Sequence, residues 1–307
     1  MGRYLIRRLL QFIPVFLGAT FLIFALVFMI PGDPIRALSG ERPMPPSVVH
    51  ELRARYHLDD PLPKQYLIYM ENIFRGNFGE TFQGRPVSDI MKQRLPVTVR
   101  LALYAFIFET IIGVLAGVLA GLRREGFMDT LVLISTIVVI SIPIFVLGFI
   151  AQIVLGLKIH LFPIAGIRQG FYSYILPALV LGSVSLAYVA RLTRTSLVEN
   201  LRADYVRTAT AKGLSRARVV GVHTLRNSLI PVVTFLGVDL GALMGGAIIT
   251  ETIFNLPGIG RAVYQAVMNQ EGPVVVGIVT FLVVVYMTSN LLVDLLYAVL
   301  DPRIRYE

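Results

Sequence analysis

Apolar residues gather along this chain in six long runs, near 9–30, 99–121, 130–157, 174–192, 229–253 and 274–299. A helix needs about 20 mostly apolar residues to cross roughly 30 Å of hydrocarbon, and each run is long enough. The runs are continuous and do not alternate over ten-residue segments, so they predict membrane-spanning helices and not a β-barrel. The first run follows Arg3, Arg7 and Arg8 and could open a signal peptide. It is longer than an ordinary signal core, and Pro31-Gly32-Asp33-Pro34 is no small-x-small cleavage site, so it reads as a retained span.

The polar positions define what lies between. Residues 1–8 alternate basic and apolar positions, as an interfacial entry helix does. Residues 31–98 form a long loop rich in Pro, Gly and Tyr, within which Pro46 to Tyr56 and Lys64 to Phe74 read as short helices. Three spans with short loops occupy 99–192, and 193–228 is a long polar segment. Two spans then fill 229–299 around a smaller loop, 254–273, ahead of a tail at 300–307. The side holding the termini and 193–228 carries 15 Lys and Arg against six acids; the other carries 13 against nine, mostly in the single long loop. That bias places both termini in the cytoplasm and the loops 31–98 and 254–273 outside. The expected fold is an all-α polytopic membrane protein with six transmembrane helices.

Composition narrows the classes. Of 307 residues, 55% are hydrophobic and 15% charged, which excludes a soluble enzyme and a disordered chain. With no cysteine there is no disulfide, thiolate catalysis or Cys-ligated metal. The net charge of +9 reflects basic loops facing anionic lipid, and nucleic acid is not an expected partner. No P-loop, zinc H-E-x-x-H or G-x-S-x-G pattern occurs, and His50, His57, His160 and His223 lack ligand spacing. Neither catalytic residues nor a metal are expected, and no cofactor is expected on this chain.

Four acids fall within or at the edges of spans: Glu109, Asp239, Glu251 and Asp294. Intramembrane charge is costly and marks a path or a paired structural group; Asp239 and Asp294 are candidates for a water-filled path. Glycines recur at every fourth position in the second run (Gly113, Gly117, Gly121) and the fifth (Gly237, Gly241, Gly245). Such stripes let helices approach closely, either as fixed packing or as a contact that slides.

In the segment 193–228, Asp204 is placed to cap the start of an eight-residue helix and Gly213 to follow its end; Ser215 then opens a second helix leading into the fifth span. The result is a knob displaying Tyr205, Arg207, Ala209 and Lys212, suited to a groove on a partner.

Here the sequence resembles the transmembrane permease subunit of binding-protein-dependent ABC importers, in the dipeptide, oligopeptide and nickel group. That family's cytoplasmic signature is E-A-A, three residues, G, nine residues, I-x-L-P. Arg207-Thr208-Ala209 take the first places, Gly213 the glycine, and the end reads His223-Thr224-Leu225-Arg226. Further motifs follow in the family's order: Pro31-Gly32-Asp33-Pro34, Arg94-Leu95-Pro96-Val97-Thr98, Ala190-Arg191-Leu192-Thr193-Arg194, Glu251-Thr252-Ile253-Phe254, Pro257-Gly258-Ile259-Gly260-Arg261 and Asp301-Pro302-Arg303-Ile304-Arg305. The long first external loop is similar to that of the first of the two paired permeases. The resemblance implies a type I ABC importer permease in a prokaryotic cell membrane. It further implies a second, related permease chain in a heterodimer, two ATPases that hold ATP and Mg, and an external substrate-binding protein. It assigns coupling to Asp204, Tyr205, Arg207, Thr208, Ala209, Ala211, Lys212 and Gly213, and peptides or a related small solute as cargo. Asp239, Asp294, Gly237, Gly241 and Gly245 are candidates for the path, and Pro43, Tyr56, Pro257 and Gly258 for external docking or a lid. An ion-gradient-driven secondary transporter would also account for six spans with acids, but would need no cytoplasmic knob and would show an internal repeat. An intramembrane enzyme lacks any nucleophile, base or metal pattern.

Overall fold

The computed structural model describes residues 2–29 and 45–300. Pro43, Pro31 to Pro34 and Asp301 to Arg305 lie outside the described residues. Among those described the protein is built of helices, with one isolated antiparallel bridge, Glu80 to Pro86. The helices are α1 (Gly2–Phe28), α2 (Pro46–Arg55), α3 (Leu62–Phe74), α4 (Val87–Leu122), α5 (Phe127–Ser141) and α6 (Ile144–Ala151). They continue as α7 (Tyr172–Leu181), α8 (Ser183–Asn200), α9 (Asp204–Ala211), α10 (Ile230–Ile253), α11 (Ile259–Met268) and α12 (Gly272–Leu300).

Four helices (α1, α4, α10 and α12) are long and apolar enough to cross a membrane singly. The other two apolar runs are not single rods. The run 130–157 is α5 and α6 meeting at 107°. Pro143 has no amide hydrogen to donate and forces Ile142 out of the helical region, to ψ 127°. After α6 the helix relaxes into a π-helical stretch, Gln152–Lys158. The run 174–192 is α7 and α8 bent by 61° at Gly182, beyond Pro177. Apolarity marks the crossing but does not report a bend, so these breaks depart from the straight spans expected.

The loop boundaries move as well. With 36 residues α4 is about 54 Å long, well beyond the apolar thickness. Residues 87–98, read as external loop, are its first three turns. Pro96 sits within it, its neighbours held by packing. The loop 254–273 is mostly α11, an amphipathic helix that buries Ile259, Ala262, Val263 and Ala266. These pack with Val87 and Met91 of α4 and Val274 and Ile278 of α12 as a second apolar cluster.

The main core lies among α4, α7 and α10, where Leu101, Ala105, Tyr174, Leu176, Leu181, Leu243 and Ala247 meet. Helix α4 organises it with two opposed faces. Leu101, Ala105, Glu109, Gly113, Gly117 and Gly121 are buried, whereas Leu103, Ile107, Ile111, Leu115 and Leu119 are exposed. The glycine stripe is a fixed contact: a Cβ on Gly113 would lie 2.8 Å from Val189 Cγ1, and on Gly117 2.5 Å from the Ala190 carbonyl oxygen. Helices α4 and α8 therefore touch backbone to side chain with no space to spare.

Outside, α3 lies against α1 and α12. Tyr66 packs its ring edge on Phe21 and Phe24, and its hydroxyl meets Thr20 Oγ1 at 3.0 Å. Tyr69 donates to Thr280 Oγ1 at 2.5 Å; burial pushes its phenol well above the usual range. On the exposed turn before α3, Lys64 beside Asp60 holds that carboxyl below its ordinary value.

Candidate functional site

Helix α9, in the polar segment between α8 and α10, begins one residue differently from expectation. Ala203 is the N-cap, extended at φ −69° and ψ 150°, and no side chain caps the helix. Asp204 is instead the first helical residue, 3.6 Å from Arg207, and its charge favours the N-terminal end of the helix dipole. The C-terminal end is closed by backbone. Gly213 adopts φ +76°, its N–H donates to Thr210 O at 2.9 Å, and the Leu214 N–H donates to Ala209 O at 3.3 Å. This is a Schellman closure, with Leu214 packed on the buried trio Val206, Ala209 and Val219.

That packing corrects one element of the expected knob. Ala209 is 6% exposed and faces inward, so it is not part of the displayed surface. The displayed face carries Asp204, Tyr205, Arg207, Thr208, Ala211 and Lys212. Tyr205 donates its hydroxyl to Asn200 Oδ1 at 2.6 Å, tying α9 to the end of α8. Ser215 is positioned as an N-cap but makes no capping bond. From there the chain runs through Arg216–Arg218, the π-helical Val219–Thr224 and Leu225–Ser228 into α10. Ser228 donates back to the Ser196 carbonyl of α8 at 3.4 Å. Helix α8 is braced in turn by α5: Arg194 Nε and an Nη donate to the two oxygens of buried Asp129, at 2.9 and 2.7 Å. Sequence reading had counted these two among the loop charges.

Three of the quoted motifs converge outside the main core. Glu251, fully buried near the end of α10, accepts from the Thr98 hydroxyl at 2.5 Å and from the Arg261 N–H at 2.9 Å. Thr98 accepts from the Ile259 N–H at 2.8 Å. Arg94 donates to Gln265 Oε1 at 3.2 Å. The Glu251 carboxyl thus closes the N-terminus of α11, taking donors that the helix itself leaves free. Gly258 lies directly over it, and a Cβ there would fall inside the carboxyl group. Pro257 and Gly258, candidates for an external docking surface, are half-buried and buried respectively, since they wrap this acid. Tyr56 turns toward the chain, donating to the Thr81 carbonyl at 3.1 Å and packing on Phe82.

Of the path candidates, Asp239 on α10 accepts from Ser185 Oγ of α8 at 2.9 Å, one turn of α8 from Gly182, which lies against Glu109 of α4. Gly237 is half-buried on α10, and Gly241 packs on Tyr286 of α12, where a Cβ would lie 3.1 Å from the ring. Gly245 has open space beside it. Asp294 belongs to α12 by position, but its side chain lies outside the described residues. Gly241 is an interhelical contact, whereas Gly245 faces outward.

The comparisons with known proteins agree with this architecture. Residues 113–306 match the family described as binding-protein-dependent transport system inner membrane component, and residues 1–102 match that described as its N-terminal membrane component. The chain is 40% identical, over all of both chains, to the di/tripeptide transport system permease protein DppB of Pseudomonas aeruginosa. It is 39% identical, again over all of both, to the dipeptide transport system permease protein DppB of Escherichia coli K12. In fold it is similar to a chain of the inward-facing MetNI methionine ABC transporter, with a TM-score of 0.57 and 16% identity over 69% of this chain and 96% of that one. The six apolar runs, the buried motif cluster and these matches have one reading: the chain is a multi-pass, non-enzymatic permease subunit and belongs to the binding-protein-dependent ABC transporter inner-membrane component family.

Proposed function

We propose that this permease forms half of the path by which an ATP-driven importer takes up di- and oligopeptides, and that α9 couples it to an ATPase. The carrying observation is α9 itself: a short helix closed by backbone at Gly213, exposed on one face, and continuous with spans on both sides. A knob of this kind transmits displacement because it cannot yield locally. Its N-terminal side is tied to α8 through Tyr205 and Asn200, and its C-terminal side leads into α10. Movement of α9 by a partner would therefore reach α8 and α10 together. Peptide cargo is supported by the printed substrates of the relatives at 39–40% identity.

In this reading two ATPase subunits carry ATP and Mg, and an external binding protein delivers the peptide. A second, related permease completes the path, and lipid surrounds the rest. The exposed apolar stripe of α4, from Leu103 to Leu119, requires cover by lipid or by that second chain. The coupling residues, corrected for the inward Ala209, are Asp204, Tyr205, Arg207, Thr208, Ala211, Lys212 and Gly213. Both termini lie in the cytoplasm.

Affinity purification of the tagged chain from its native membrane tests this directly. The expected result is recovery of an ATPase, a second six-span permease and an exported binding protein, with dipeptide uptake that survives collapse of the membrane potential while ATP remains. Recovery of a homo-oligomer alone, or uptake that stops with the potential, would refute it.

A further inference from the structure

Glu109 is fully buried, and both of its carboxyl oxygens lack any hydrogen-bond donor. Its neighbour across the helix boundary is Asp239, whose Oδ1 accepts from Ser185 and whose buried Oδ2 likewise has no donor. Both lie against one turn of α8: a Cβ on Gly182 would stand 3.3 Å from Glu109 Oε2, and Ser185, three residues on, donates to Asp239 Oδ1 at 2.9 Å. Among the described residues no Lys, Arg or His donates to Glu109. The surrounding groups are Thr110 on α4, Ser185 on α8, and the bend at Gly182, where a Cβ would lie 3.3 Å from Glu109 Oε2 and 3.0 Å from the Ala105 carbonyl oxygen. Of these, only the two carboxyls titrate.

Two carboxylates in this position would each offer only acceptors to the other, in apolar surroundings where like charges repel strongly. Among the described residues no third acid or histidine joins them to hold a metal ion. One proton resolves the arrangement, because a carboxyl O–H can donate to the opposed carboxylate. We propose that Glu109 and Asp239 form a proton-binding site joining α4 to α10 inside the membrane. The pair takes one proton from solvent and its charge goes from −2 to −1, with the new O–H of one group donating to the other. Access is through Asp239, which is half-buried, whereas Glu109 is sealed. The site sits where α8 bends, and α8 and α10 flank the cytoplasmic α9, so the bound proton holds together the spans that carry the knob. This assignment concerns the chain itself and does not depend on the cargo.

Infrared spectroscopy of the purified protein in lipid nanodiscs reads the proton directly. At neutral pH the wild type should show the carbonyl stretch of a protonated carboxylic acid. That band should be lost in both E109Q and D239N, and retained in E251Q, which removes the other fully buried acid. Absence of the band in the wild type overturns the proposal, as does a band that survives E109Q and D239N but disappears in E251Q. E109Q preserves side-chain shape and supplies an amide donor to Asp239, so it should reach the membrane at wild-type level. Should one variant fail to accumulate, the other carries the assignment. The wild-type band must in addition titrate away with rising pH as a single proton does, and a band insensitive to pH refutes the site.

Discussion

Thr98 is placed to test the cluster around Glu251 and Ile259, because it makes two bonds with one hydroxyl. It donates to Glu251 at 2.5 Å and accepts from the Ile259 N–H at 2.8 Å, and all three residues are fully buried. Thr98→Val keeps the shape and removes both bonds. The Ile259 N–H then has no acceptor, which costs about 1–3 kcal/mol, and the lost donor to the carboxyl adds about 1–2 kcal/mol. The expected loss is therefore about 2–5 kcal/mol. Thr98→Ser keeps the hydroxyl and deletes one methyl, for about 1 kcal/mol. Denaturant-induced unfolding of the purified protein in detergent micelles, followed by circular dichroism, compares the two. The Val variant should unfold at clearly lower denaturant than the Ser variant. In the double variant Thr98→Val/Glu251→Gln the losses should fall short of additive, because the two side chains share one network. Equal stability of the Val and Ser variants would refute the role given to this hydroxyl, and strictly additive losses would refute the network.

Further expectations follow from the same contacts. Gly117→Val would place a Cβ 2.5 Å from the Ala190 carbonyl oxygen and from Thr193 Cβ, so it should abolish stable accumulation in the membrane, measured by immunoblot of membrane fractions. Arg194→Met leaves buried Asp129 unpaired and should cost about 3–5 kcal/mol, whereas Arg194→Met with Asp129→Leu should recover most of it on the same unfolding assay. Tyr205→Ala should leave unfolding within about 1 kcal/mol of wild type yet lower ATP-driven uptake severalfold; unchanged uptake would remove Tyr205 from the coupling face. Glu271 lies outside the spans, and burial raises its carboxyl above the ordinary range. The folded state thus holds that proton more tightly than the unfolded chain, so stability is greatest at low pH and declines as pH rises through the raised value. Glu271→Gln should flatten that part of the thermal unfolding profile against pH.

The extent to which this molecule is legible in its sequence varies with the physics involved. Burial in hydrocarbon is a property of composition over about 20 residues, so α1, α4, α10 and α12 stand out without any knowledge of packing. The turn after α9 is equally local, since a left-handed residue favours glycine and Gly213 supplies it. What was not legible depends on partners distant in sequence. Nothing near Ala209 says that it faces Val219, because an eight-residue helix has two faces and only the following segment selects one. Pro143 and Gly182 signal a local irregularity, but the 107° and 61° angles are set by what α6 and α7 pack against. Glu251 could be flagged as an intramembrane acid, yet its donors lie at positions 98 and 261. Those three motifs were read separately, and only the fold shows them to be one contact.

The π-helical stretch Val219–Thr224 has a consequence for how this chain can change length. A π turn accommodates one residue more than the α turn it replaces, so this segment holds the surplus in its backbone, with Thr224 Oγ1 bonded to the Val219 carbonyl. Deleting one residue here would return the segment to α geometry with α10 in nearly its present phase, whereas a second deletion has no surplus to draw on and would turn α10 by about 100°. Asp239, Gly241 and Leu243 would then point away from Ser185, Tyr286 and the main core. The angular phase of an entire membrane span is thus recorded in the residue count of a short polar connector. Two-residue deletions between Ser215 and Leu229 should be far less tolerated than a one-residue deletion within Val219–Thr224 or substitutions at exposed positions such as Gly221 and Val222.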